Sequence, residues 1–100
     1  FILAGRKVIG ALQIDQGAFE AIKNGGSLLP VGVIQVNGDF QRGDTAGVIE
    51  PGGMEIAKGL SNYASGDLMK IRGKRSDQIE DTLGFVYGEE VIHRNNMVLL

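Results

Sequence analysis

Apolar residues come in short blocks along this chain, and nearly every block is closed by a glycine or a turn pair. Val8 to Ile14 reads as a strand with Ile9, Ala11, Leu12 and Ile14 as its apolar positions. Asp15 follows as a helix N-cap, its carboxylate placed to accept from backbone N–H groups in the first turn. The spacing of Ala18, Phe19 and Ile22 predicts a helix over Gln16 to Lys23 with one face suited to packing on a sheet. Lys23 complements the dipole in its last turn, and Asn24-Gly25 supplies a left-handed cap. From Gly25 to Asp44 the chain reads GGSLLPVGVIQVNGDFQRGD, the stretch around which the rest is arranged. A loop through Ser27, Leu28, Leu29 and Pro30 feeds a strand with Val31, Val33 and Val36 as apolar positions, and Asn37-Gly38 ends it.

Residues 37–44 are turn chemistry. Thr45 to Glu50 predicts a strand, Pro51-Gly52-Gly53 a hairpin turn and Met54 to Ala64 the returning strand. In that strand Ile56, Leu60 and Tyr63 are expected to face inward, while Gly59 marks a bulge or a close approach of backbones. Ser65 is read as the cap of a helix carrying Leu68 and Ile71 and stopped by Gly73. Ser76 is read as the cap of another, with Ile79 and Leu83, ended by Gly84. Val91, Ile92 and then Met97 to Leu100 close the chain as a strand, interrupted by His93-Arg94-Asn95-Asn96. This order predicts an α+β domain with a curled sheet whose open edge the terminal strand covers.

Composition narrows the class. One hundred residues make one domain, and 16 glycines without a repeat fit short strands joined by tight turns. A net charge of -2, with 43% apolar and 22% charged residues, is that of an ordinary globule without the basic excess that marks a nucleic-acid binder. With no cysteine there is neither a disulfide framework nor a thiolate metal site, and a reducing cytoplasm is the expected compartment. The apolar runs fall far short of the roughly 20 residues that span a bilayer, so no membrane partner is expected. Arg6 and Lys7 follow the apolar start instead of preceding it, which is not the order of a secretory signal. The first residue is Phe1, not Met, and the chain is read as a piece of something longer.

Candidate chemistry is sparse. No phosphate-binding loop is present, because the position five before Gly73-Lys74 is Leu68, and there is no GxGxxG. Gly25, Gly26 and Ser27 would suit an anion-binding nest, but a helix C-cap accounts for the same letters. His93 is the only histidine, which excludes a two-histidine metal pair and favours a local hydrogen bond. Asp39 and Asp44 lack the spacing of a calcium loop and are read as turn-stabilising. Lys70, Arg72, Lys74 and Arg75 are the one concentration of charge, fit either for a phosphate backbone or for solvent at a helix end. Asp77, Glu80 and Asp81 follow at once and weaken its field. No catalytic or metal-ligating set emerges.

Five segments follow one another: GALQIDQGAFEAI at residues 10–22, SLLPVGVIQVNGDFQRGD at 27–44, EIAKGLSNYAS at 55–65, IRGKRSDQIEDTLGF at 71–85 and EVIHRNNMVLL at 90–100. Together and in this order they resemble the PUA domain that ends the bacterial glutamate 5-kinases. The chain departs from that pattern at Gly52, at Asn95 and at Ala64 and Gly66. The resemblance implies a PUA-like mixed-sheet pseudo-barrel with short flanking helices over residues 8–100. Residues 1–7 would be a linker from an amino-acid-kinase domain that precedes it. It implies a regulatory module of an enzyme that transfers the γ-phosphate of ATP to glutamate in proline biosynthesis, with ATP and Mg2+ bound outside this chain. The fragment alone is therefore expected to bind no cofactor and to have no kinase activity. Expected partners are the kinase domain of the same chain and further copies of the full-length enzyme. An alternative, by analogy with PUA domains of RNA-modifying enzymes, is weak RNA binding through Lys23, Gly25, Gly26 and Ser27, or through Lys70, Arg72, Lys74 and Arg75.

Overall fold

A computed structural model describes residues 8–100; the expected linker at residues 1–7 lies outside them. The elements are β1 (Val8–Ile14), α1 (Gln16–Lys23), β2 (Val33–Gly38), β3 (Thr45–Ile49), β4 (Glu55–Leu60), α2 (Ser65–Ile71), α3 (Ile79–Leu83) and β5 (Met97–Leu99). Short 3-10 turns occupy Pro30–Gly32, Ser76–Gln78 and Arg94–Asn96. The strands form one five-stranded sheet in the order β2-β1-β3-β4-β5. β1 runs parallel to β3, and the other neighbours are antiparallel. The helix α1 provides part of the crossover that a parallel pair needs.

The two ends of the sheet are drawn together. Leu28, ahead of β2, bridges to Ile92, ahead of β5, through Leu28 N–H to Ile92 O at 3.0 Å and Val91 N–H to Leu28 O at 2.7 Å. The curl encloses a core of Leu12, Ile14, Leu28, Val48, Tyr63 and Ile92, all fully or almost fully buried, with Ile22, Leu68, Ile71 and Ile79 added from the helices. Within β1 it is Leu12 and Ile14 that turn inward, one side of the pleat, while Ile9 stays exposed. The terminal strand covers the β4 edge, pairing Lys58 with Val98 and Gly59 with Met97. At Gly59 a Cβ would sit 2.5 Å from Ile92 Cγ2 and 2.8 Å from Asn96 O, so the expected close approach is real and admits no side chain.

Four local readings are corrected. Residues 30–32 form a 3-10 turn and β2 starts only at Val33, because Pro30 sets φ for a helical first position and holds Leu29 extended. β4 ends at Leu60, where Ser61 Oγ donates to Tyr63 O at 2.6 Å and turns the chain. Ala64, not Ser65, caps α2, without a side-chain bond. The Ser65 hydroxyl faces inward, accepting from Phe40 N–H at 3.1 Å and lying 3.2 Å from Phe40 O. Ser76 is likewise no cap: its hydroxyl donates to Glu89 O at 3.0 Å, and Arg75 takes the cap position.

Candidate functional site

The surface built on α1 begins at Asp15, whose Oδ1 accepts from Ala18 N–H at 2.8 Å and fixes the first turn as the sequence predicts. Asp15 N–H donates to Gly32 O at 3.0 Å, tying the helix start to the 3-10 turn. A Cβ on Gly32 would fall 2.5 Å from that of Ala18, so helix and turn are in direct contact. Between them runs a groove of about 220 Å³ lined by Asp15, Ala18, Ala21, Ser27, Leu29 and Val31. Leu29 and Val31 leave much of their apolar surface open to it.

At the far end of α1, Gly25 (φ 88°) donates to Ile22 O at 3.0 Å and Gly26 donates to Ala21 O at 2.8 Å. These amides satisfy the helix carbonyls, so they do not converge on an anion. Ser27 Oγ accepts from Arg94 N–H at 2.8 Å. That bond brings the turn before β5 alongside the glycines. The resulting shallow depression, about 440 Å³, is lined by Gly26, Glu90, His93 and Arg94, and it shares Ala21, Ser27 and Leu29 with the first groove. His93 Nδ1 accepts from Asn95 N–H at 3.0 Å, a local cap. Lys23 is held by Glu20, 3.4 Å away, and lies 4.7 Å over the Phe19 ring, so its charge is partly offset.

The basic run does not form one patch of free cations. Lys70 lies in the last turn of α2 and Lys74 is exposed, but Arg72 Nη1 donates to Ile34 O at 2.7 Å, covering part of the outer edge of β2. Arg75 forms an exposed ion pair with Asp77 at 2.6 Å, which raises its pKa further. No hydrogen bond or ion pair joins this run to Lys23 among the described residues. Asp44 Oδ2 accepts from Gln41 N–H at 2.8 Å, as a turn-stabilising carboxylate does. No group of three or more histidine or carboxylate ligands is assembled among the described residues.

Sequence reasoning passed over the segment between α3 and Val91. There Tyr63, fully buried at its ring, reaches out with its hydroxyl to donate to Gly88 O at 2.7 Å and accept from Tyr87 N–H at 2.8 Å. Burial pushes the Tyr63 phenol above its ordinary value, with the Tyr87 amide and Arg42 pulling the other way. The Tyr87 ring lies 5.5 Å from that of Tyr63 and 5.1 Å from that of Phe85, and Arg42 stacks on it at 3.9 Å. The only signal in the sequence is three large apolar residues in a row, Phe85, Val86 and Tyr87, between Gly84 and Gly88.

A curled mixed sheet with a glycine-capped helix beside a Leu-Leu-Pro turn is a PUA architecture. The family model described as "PUA domain" matches residues 10–83, and the chain belongs to that family. Over its whole length it is 52% identical to the glutamate 5-kinase of Shewanella halifaxensis, matching its C-terminal region. It spans only 27% of that protein, about a quarter of the length of such relatives. Among solved structures, a PUA domain protein of Aeropyrum pernix in complex with tartrate superposes with a TM-score of 0.62 at 24% identity, over 84% of this chain and 41% of that one. A chain of the archaeal box H/ACA sRNP Nop10-Cbf5 complex gives 0.59 at 20% identity, over 66% of this chain and 21% of that one. At these identities the likeness is one of fold, the PUA pseudo-barrel.

Proposed function

We propose that this domain is the C-terminal regulatory and interaction module of a glutamate 5-kinase. The parent enzyme transfers the γ-phosphate of ATP to L-glutamate, giving L-glutamyl 5-phosphate in the first step of proline biosynthesis. In this reading ATP, Mg2+ and glutamate are bound by the amino-acid-kinase domain, in the cytoplasm, and the fragment carries no catalytic residue. The observation that carries it is an identity of 52% in an alignment that covers the whole of this chain. The test compares the full-length enzyme with a form lacking residues 8–100. The truncated enzyme is expected to keep glutamate-dependent ATP turnover while its inhibition by proline changes. Glutamate phosphorylation by the 100-residue chain alone would refute the reading, and so would a truncated enzyme with an unaltered proline response.

A second reading, RNA binding, is favoured by Arg94, which lines the depression at the end of α1 together with Ser27 and with Glu90, whose charge offsets it. Lys23 is already engaged by Glu20, so such binding is expected to be weak and to fall steeply with salt. Titration of the chain with structured RNA at low salt, followed by amide shifts, tests it. Saturable shifts at Lys23, Gly25, Gly26, Ser27 and Arg94 would support it. Replacing Lys70, Arg72, Lys74 and Arg75 by Ala tests the other surface, and unchanged RNA retention would exclude it.

A further inference from the structure

Gly84 (φ 84°) and Gly88 (φ 117°) bracket Phe85, Val86 and Tyr87, whose exposures are 37%, 47% and 45%. Three consecutive large apolar residues on a water-facing surface are unfavourable unless something covers them. The segment is also held in place. The Tyr63 hydroxyl clamps Tyr87 N–H and Gly88 O, and the Arg42 guanidinium packs against the Tyr87 ring. Ordering is thus already met in the free domain, which lowers the entropic cost of covering the patch.

Its position points to the occupant. Arg42 belongs to the turn that leads into β3, and Val8, the first residue of β1, pairs with Thr45 at the end of that turn. A Cβ on Gly10 would collide with the Phe40 ring, so the start of β1 lies directly against the same turn. The amino end of β1 therefore lies at the end of the domain that carries Arg42 and Tyr87, and a domain that precedes it in a longer chain is tethered to that end. In the relatives this domain shares one chain with the kinase domain and accounts for only 27% of the length. A tethered neighbour has an effective concentration on the order of millimolar, so a patch of this modest size suffices to hold it.

We propose that Phe85, Val86 and Tyr87, rimmed by Arg42, form the surface on which this domain docks to the preceding kinase domain of the same chain; the inference rests on the reading of the chain as a glutamate 5-kinase module. Hydrogen exchange of the segment 84–88 is measured in the full-length enzyme and in the 100-residue chain. Exchange about tenfold slower in the full-length enzyme is expected. The double variant F85S/V86S, which leaves the Tyr63–Tyr87 clamp intact, should bring the rate back to that of the isolated chain. Equal exchange in the two wild-type proteins overturns the proposal. Slowing that appears in the isolated chain with rising concentration assigns the patch to a second copy, slowing on adding RNA assigns it to nucleic acid, and either overturns it. A full-length protein that does not phosphorylate glutamate defeats the functional reading alone, since the exchange difference still decides the docking.

Discussion

Removing one oxygen at Tyr63 tests the clamp on which the aromatic segment depends. In Tyr63→Phe the ring still fills its buried place, but Tyr87 N–H and Gly88 O lose their partners at 2.8 and 2.7 Å. A donor left unsatisfied in a buried site costs about 1–3 kcal/mol, and the partly exposed setting here puts the loss in the lower half, about 1–2 kcal/mol. For a domain of this size that lowers the melting temperature by roughly 4–16 °C. Urea unfolding followed by far-UV circular dichroism should show a lower midpoint with an unchanged slope, and amide exchange should accelerate at Tyr87 before anywhere in the core. The same variant has a pH signature. Burial raises the Tyr63 pKa above 10.0, so the folded state holds the phenol proton more tightly than the unfolded chain does. That contribution is complete below the ordinary value and is lost as pH rises through the folded one. Wild type should therefore lose stability above about pH 10 more steeply than the Phe variant. A loss under about 0.3 kcal/mol at neutral pH with unchanged exchange at Tyr87 would refute the reasoning.

Further outcomes follow from contacts already described. Gly59→Ala should destabilise the domain by about 1–3 kcal/mol, because Asn96 O at 2.8 Å is backbone and cannot swing aside; chemical denaturation reads it. Ser65→Ala should cost about 1–3 kcal/mol by orphaning Phe40 N–H, whereas Ala64→Asp, at the true cap, should gain about 0.5–1 kcal/mol, an opposition that thermal melts resolve. Asp77→Asn should leave the melting temperature unchanged in low and high salt, since the ion pair to Arg75 is largely exposed to solvent.

Local signals proved legible where the chemistry is local. Asp15 caps α1 and Gly25 ends it because both act on atoms within a few residues, and Gly59 announced a close approach without naming Ile92 as the side chain approached. Ser65 and Ser76 misled because a serine before a helical run is read as a cap, while each hydroxyl here serves a backbone group far along the chain, Phe40 in one case and Glu89 in the other. Lys70 to Arg75 looked like one patch in sequence, yet Arg72 is spent on the edge of β2 and Arg75 on Asp77. The clamp between Tyr63 and Tyr87 joins residues 24 positions apart, with no period to betray it.

The bridge between Leu28 and Ile92 also sets an order of events during synthesis. The chain emerges from the ribosome amino end first. β1, β2, β3 and β4 can meet as soon as residue 60 is free, but Leu28 has nothing to bond until Val91 and Ile92 arrive. Through that interval the outer edge of β4 stands open to any passing strand, and β5 is what seals it. A chain cut short before Val91 would hold most of its core and have no closure.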